Sequence, residues 1–359
     1  MIITRTPFRI TLGGGGTDLP SYYMQHGGFV FSAAINKYMF INLNRPVVDD
    51  LVRVKYAKSE TVNHIDELQH EIAKGALNIL GIEKAIEIIS SADVPDGTGL
   101  GSSSCYTVGL LHAIHALKRD YISLSDLAEE ACYLEMELLQ KPIGKQDQYI
   151  ATFGGLTAFE IAKDGRVKVM KAKVTPNTVD DLKRNVMMFY TGVSRKSMDI
   201  LGEQNKGAQD NKKTVMDSLH YIKESGYQIK ELIEDGNLTD FGLMLDKHWE
   251  YKKKMSSKIS NPTFDLIYRV AKEHGALGGK ITGAGGGGFF LFYIEKDHER
   301  LRNAMQAMGL REMRFNFEFE GSKVIVNLVN SESENHDYHV WSIPQTQKRM
   351  SVIHAMHSA

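Results

Sequence analysis

DVPDGTGLGSSSC, running from Asp93 to Cys105, separates an apolar run, AIEIIS, from a segment with helical periodicity, CYTVGLLHAIHAL. The order predicts a strand, a glycine loop and a helix. Glycine lets the backbone turn tightly and approach a ligand, and a helix start offers unpaired N–H groups at the positive end of its dipole, so phosphate is the natural guest. Ser102, Ser103 and Ser104 add hydroxyls able to cap the helix, bind a phosphate oxygen or ligate a metal. Two common phosphate loops do not fit. GxxxxGK[ST] needs a lysine that does not follow Gly101, and GxGxxG needs a third glycine where Ser102 stands. A serine-capped glycine turn is the plainer reading of any one feature; their coincidence at a strand-to-helix junction favours a phosphate cradle.

The chain around this loop has 359 residues, 42% hydrophobic and 24% charged, enough for a sizeable core and two domains. A formal net charge of -1 argues against a general polyanion binder, because nonspecific nucleic-acid affinity rests on clustered positive charge. The short cluster Lys252 to Lys254 reads first as a solvated face and second as a local anion site. Two cysteines, Cys105 and Cys132, support neither a disulfide framework nor a cysteine zinc site. No run approaches ~20 uninterrupted apolar residues, so no membrane segment is expected and a reducing cytoplasm is the simplest setting.

Strand and helix signals alternate along the chain. FVFSAAI, KYMFINL and VRVKYA read as strands, residues 63–80 as a helix, and Ser123 as the cap of a helix with Leu127, Ala131, Leu134 and Leu138 on its buried stripe. Pro142 and Gly144 end that helix, and KPIGKQDQYIATFGG reads as a loop. A polar interval at 175–181 precedes the apolar strand NVMMFYTG, which sets the expected domains at 1–180 and 181–330. Helical patterns follow at 210–255 and 264–274. RFNFEFEG and KVIVNLV are expected as a strand pair hinged on Gly321 and Ser322, and 331–359 as a tail of unknown role.

Three further constellations carry chemistry. Gly13, Gly14, Gly15 and Gly16 are costly to order, which points to bare backbone against a ligand, and Thr17 and Asp18 follow at once. A carboxylate beside exposed amides suits a polyhydroxylated ligand, while a hairpin with Asp18 as a cap fits the segment equally well. Arg9 just upstream could stabilise an anion. A helix-borne glutamate could complete a hard-cation site with a serine oxygen, and periodicity leaves Glu135 and Glu137 both open. Asp147 could accept a proton from a substrate hydroxyl or simply stabilise a turn. GGKITGAGGGG, Gly278 to Gly288, could close over phosphates from the opposite side with amide donors and Lys280.

Taken in order, PFRITLGGGGTD, VPDGTGLGSSSC and KITGAGGGGF resemble the substrate, ATP and C-terminal glycine motifs of the GHMP small-molecule kinases over about Arg5 to Val329. LGGGGTD, GKQDQY and GGKITGAGGGGF resemble in particular the subgroup acting on D-glycero-D-manno-heptose 7-phosphate. Galactokinases carry acidic and histidine residues where this chain has Gly15 and Gly16, which counts against galactose.

The resemblance implies an α+β fold: an N-terminal ribosomal-protein-S5-like domain and a C-terminal ferredoxin-like domain, with the active site between them. It implies ATP held by Pro95, Gly97, Gly99, Leu100, Gly101, Ser102, Ser103 and Ser104, and Mg2+ on Ser103 and Glu135. Asp147 would be the catalytic base and Arg9 its charge-stabilising partner. The acceptor, a sugar phosphate, would meet Gly13 to Gly16, Thr17, Asp18, Gln148, Lys280, Gly283 and Gly285. Its own phosphate would meet Arg195, whose planar fork matches phosphate oxygens, or Lys145. The expected reaction is transfer of the terminal phosphate to the anomeric hydroxyl, giving a heptose 1,7-bisphosphate for nucleotide-activated heptose synthesis, with a fucokinase-like or galactokinase-like sugar 1-kinase as the alternative. A noncatalytic sensor would not need Glu135 and Asp147, and Cys105 at the helix start reads as packing rather than as a hydrolase nucleophile.

Overall fold

A computed structural model describes residues 1–193 and 197–329. The chain begins β1 (Ile2–Gly13), α1 (Pro20–His26), β2 (Gly28–Asn44), β3 (Val52–Lys55), β4 (Ser59–Val62), α2 (Glu71–Ile79), β5 (Ile86–Ala92) and α3 (Ser102–Lys118). It continues α4 (Leu124–Cys132), α5 (Gln146–Phe153), β6 (Leu156–Ile161), β7 (Val167–Lys171), α6 (Pro176–Asn185) and β8 (Val186–Tyr190). The rest is α7 (Ser197–Gln209), α8 (Lys213–Glu234), α9 (Leu238–Lys253), α10 (Pro262–Glu273), β9 (Gly278–Ile281), β10 (Phe289–Tyr293), α11 (His298–Ala307), β11 (Arg311–Glu312) and β12 (Lys323–Asn327).

Two sheets organise these elements. The first runs β12-β1-β2-β5-β3-β4, with β6 paired to β2 and β7 to β6; the second runs β11-β8-β10-β9. In the second sheet the first strand of the unit lies between the fourth and the third, and every pairing is antiparallel, which is the ferredoxin-like arrangement. The α+β expectation holds for both halves. FVFSAAI and KYMFINL, read as two strands, form one: Gly28 to Ala33 pairs with β6 while Met39 to Asn44 pairs with β5. Splitting its partners lets β2 bury nearly all of its first half while its second half alternates.

Three local expectations change. Residues 63–80 divide into a 3-10 turn, Ile65–Glu67, and α2, because His70 caps the new start by accepting from Ala73 N–H through Nδ1 at 3.2 Å. KPIGKQDQYIATFGG is not wholly loop, since it contains α5, which places Asp147 in a first helical turn. RFNFEFEG and β12 do not pair with each other. Phe317 bridges to Ile35 and β12 runs antiparallel to β1, so the last described strand joins the first sheet. Among the described residues no helix is long and apolar enough to cross a membrane.

Candidate active site

The glycine loop forms as the spacing predicts, with β5 leading through it to α3. Gly101 holds the N-cap in a left-handed conformation, φ 85°, and no side chain caps this helix start. The first-turn amides are therefore open to a ligand, with the dipole behind them. Gly97, Gly99, Gly101, Ser102, Ser103 and Ser104 line a cavity of about 720 Å³. Pro95 and Leu100 do not line it: Pro95 accepts from the Thr98 hydroxyl, and buried Leu100 accepts from Arg9 N–H at 3.1 Å. The two glycine motifs touch. A Cβ at Gly283 would sit 2.7 Å from Gly99 Cα, and one at Gly288 2.0 Å from the Thr98 carbonyl oxygen, so only bare backbone lets them meet. Cys105 is buried with its thiol on the Pro7 carbonyl at 3.1 Å, and burial pushes its pKa well up, which fits packing.

Arg9 and Asp147 form the centre. Arg9 is 4% exposed; its Nε and Nη2 donate to the two Asp147 oxygens at 2.7 and 2.6 Å, and its Nη1 donates to the Gly99 carbonyl at 2.6 Å. One guanidinium thus fixes the carboxylate's plane and ties it to the loop. Gln146 Nε2 adds a bond to Asp147 Oδ1 at 3.0 Å. Oδ1 carries two donors and Oδ2 one, which leaves Oδ2, against Gly101, with an open lone pair.

Glu135 lies in a π-helical stretch, Tyr133–Leu138, that continues α4 and turns it fully inward while Glu137 stays exposed. Its Oε1 accepts from Ser103 Oγ at 2.6 Å and its Oε2 from Gln148 Nε2 at 2.9 Å. Lys141 Nζ stands 3.1 Å from Ser103 Oγ and 3.2 Å from Glu135 Oε1. A cation already sits against this oxygen pair, so the donor set fits a hard metal ion whose remaining ligands come from phosphate and water. No group of three or more His, Cys, Asp or Glu side chains that could hold a metal ion occurs among the described residues. Gln148, expected at the acceptor, is instead fully buried behind Glu135 and does not line the cavity.

The four glycines divide their work. Gly15 and Gly16 line the cavity, whereas Gly13 packs on Gly226 and a Cβ at Gly14 would strike the Phe29 carbonyl at 2.0 Å. Thr17 is also structural, its buried hydroxyl on the Gly14 and Phe29 carbonyls. Asp18 reaches the cavity and accepts from Gly16 and Gln146 N–H, each at 3.1 Å. Burial pushes its carboxyl up, with the Asp147 charge adding to the effect, against the Gln146 bond. Lys280, Gly283 and Gly285 line the cavity as expected. Lys145 does not, because its ammonium is held by both Glu129 oxygens and the Gly165 carbonyl, each at 2.8 Å. Arg195 lies outside the described residues.

Several cavity residues escaped sequence reasoning. Lys252 is not a solvated lysine: it is 7% exposed and donates to the Ile281 and Gly283 carbonyls at 3.0 and 2.6 Å. Burial, then Arg9, brings its pKa down to about 7. His248, one turn earlier, bonds Ser225 Oγ through Nδ1 at 3.1 Å, and burial with the charges of Lys280 and Lys252 drives its pKa well down. At the other end Tyr56 and His70 line the wall, the His70 ring lying 4.8 Å from Tyr106 in a stack and 4.5 Å from Tyr56 edge-on.

Family models agree with this architecture. GHMP kinases N terminal domain matches residues 63–155, and GHMP kinases C terminal matches 229–311. A Campylobacter jejuni protein named D-glycero-alpha-D-manno-heptose 7-phosphate kinase is 30% identical over 90% of this chain and 98% of its own length. An L-fucokinase/L-fucose-1-P guanylyltransferase of Bacteroides fragilis is 28% identical over 82% of this chain, which spans 34% of that protein. A solved structure described as a D-glycero-D-manno-heptose 1-phosphate kinase from Bacteroides thetaiotaomicron superposes with a TM-score of 0.77 at 24% identity, over 92% of this chain and 100% of that one. The chain belongs to the GHMP kinase family. It is an ATP-dependent small-molecule kinase.

Proposed function

We propose that this kinase is a sugar kinase that transfers the terminal phosphate of ATP to the anomeric hydroxyl of D-glycero-D-manno-heptose 7-phosphate, giving the 1,7-bisphosphate. The Arg9–Asp147 fork carries the reading, because it fixes a carboxylate between the glycine loop and the Gly15–Asp18 turn. The heptose rests on the name of the Campylobacter relative and on the two cavity glycines, which leave room beside Asp18. The Bacteroides neighbour, named for a heptose 1-phosphate, supports the fold alone at its identity.

Phosphoryl transfer asks for in-line positioning and charge neutralisation more than for covalent chemistry. The amides of Ser102 to Ser104 receive phosphate oxygens, and the base stacks toward Tyr56 and His70. Ser103 and Glu135 would hold a magnesium ion, which supplies neutralisation of the phosphate charge when bound. Lys141, released from those oxygens, remains close enough to meet the same phosphates. Asp147 Oδ2 takes the proton of the attacking hydroxyl while Asp18 accepts hydrogen bonds from the sugar's other hydroxyls.

A panel of sugars and sugar phosphates assayed for ADP release with magnesium ATP tests the proposal. A preference for the heptose 7-phosphate, with the product phosphorylated at C1, is expected. Preference for an unphosphorylated hexose or for fucose overturns the acceptor and leaves the kinase class intact.

A further inference from the structure

Lys252 and Lys280 are buried cations that the catalytic arrangement above does not use. Lys280 is 2% exposed and donates to the Leu12 carbonyl at 2.9 Å, directly before the glycine turn; Lys252 donates to the carbonyls of Ile281 and Gly283. Both line the cavity, and among the described residues neither has a carboxylate within ion-pair distance. The other cavity cations differ, since Arg9 is matched by Asp147 and Lys141 by Glu135. Taking an ammonium out of water costs several kcal/mol unless an anion offsets it. Two such groups side by side mark a site for an anion that the chain itself does not provide.

We propose that Lys252 and Lys280 together hold the phosphate that the acceptor brings with it, a monoester dianion whose two charges match the two ammoniums. The inference rests on the sugar-phosphate reading above and adds the residues that select for it. Their side of the cavity favours the acceptor over the nucleotide. Lys280 is anchored to the end of β1, just before the turn that holds Gly15 and Gly16, and Gly16 faces Gln204 and Met255 of the same wall. The phosphates of the nucleotide have their own partners at Ser102 to Ser104, Glu135 and Lys141. The low pKa values agree. Burial first, then Arg9 for Lys252, and Lys252 and Arg9 for Lys280, push both ammoniums toward neutrality, and a bound dianion would reverse that. His248 faces the pair as a further titrating group; its own pKa is driven down by the same lysines.

The test compares kcat/KM for heptose 7-phosphate and for the dephosphorylated heptose in wild type and Lys252→Met. The ratio of the two should fall about 10- to 100-fold in the variant, the range for one charged hydrogen bond. An unchanged ratio, whether both activities fall or neither does, overturns the inference. Thermal unfolding separates a structural role: methionine fills the volume without a buried charge, so a melting temperature held or raised is expected, and a large drop counts against the site. If wild type prefers an unphosphorylated sugar, the acceptor reading fails but the site can still be read directly. Inorganic phosphate is titrated calorimetrically onto enzyme saturated with magnesium and a non-hydrolysable ATP analogue. Binding that weakens at least tenfold in Lys252→Met sustains the anion site, and binding that is absent or insensitive overturns it. A variant that loses affinity for the ATP analogue instead would assign the lysines to the transferred group.

Discussion

Replacing Asp147 with asparagine separates the base from the scaffold. Oδ1 already accepts from Arg9 Nε at 2.7 Å and Gln146 Nε2 at 3.0 Å, so the new amide oxygen belongs there and its nitrogen falls where Oδ2 was. That nitrogen meets Arg9 Nη2, formerly a 2.6 Å partner, donor against donor. One charged hydrogen bond is lost, about 1.5 to 3 kcal/mol. The side chain of Asp147 is 26% exposed, so water relieves part of the charge left on Arg9, and a total near 2 kcal/mol is expected. In melting temperature that is about 3 °C, at about 2.1 cal/mol/K of unfolding entropy per residue over a chain of 359 residues. Losing the proton acceptor costs about 10² to 10⁴ in kcat, or about 3 to 5 kcal/mol of barrier. Steady-state kinetics, calorimetric binding of a non-hydrolysable ATP analogue and a melting curve read the three effects independently. A nucleotide affinity that falls as far as kcat would make Asp147 a structural partner of Arg9. A kcat kept within tenfold would remove the base.

Lys141→Met should bind Mn2+ about tenfold more tightly in the absence of nucleotide, followed by electron paramagnetic resonance, because the ion no longer displaces an ammonium from Ser103 and Glu135; equal affinity would show that Lys141 does not compete. Gly144→Ala should raise KM for the acceptor about 5- to 100-fold and leave KM for ATP alone, since its Cβ would fall 2.0 Å from Asp18 Oδ2. A shift confined to ATP would place the strain elsewhere. Lys252, faced by Arg9, Lys280 and His248, has its folded pKa depressed from 10.5 to about 7, so the unfolded chain binds the extra proton between those values and stability rises with pH across that window. The slope is at most about 1.4 kcal/mol per pH unit. Melting curves from pH 7 to 10 should rise less steeply in Lys252→Met than in wild type; parallel curves would mean that the folded lysine keeps its proton across this range and that its pKa is not depressed.

What could be read from the residues was whatever announces itself locally. Glycine and serine clustered at a strand-to-helix junction state a backbone requirement, and the loop and α3 formed as expected. Choosing Glu135 over Glu137 depended on a π-turn that no periodicity encodes, so the resemblance was needed where spacing was silent. Gln146, which lines the cavity and bonds Asp147, is not legible locally, because without knowing that α5 is helical there is no face to assign it to. Lys252 was hidden in a run of three lysines that look alike in sequence, although Leu245, His248 and Lys252 share one buried face of α9. Lys253 instead pairs with Glu250, and Lys254 lies over the Tyr251 ring. The partner of β12 is more than three hundred residues away, beyond any local signal.

That last pairing has a consequence for synthesis on the ribosome. β1, which carries Arg9, keeps one hydrogen-bonding edge open until Lys323–Asn327 has emerged, and Leu328 N–H finally reaches the Met1 carbonyl at 2.9 Å. Until then the outer edge of Ile2–Arg5 has no strand partner while its inner edge is held by β2, the condition under which edges recruit wrong partners. The same closure brings the two described ends side by side. A circular permutant joining them through a short linker, and opened in a surface loop such as 45–51, would complete that edge early and should reach the native state with less aggregation.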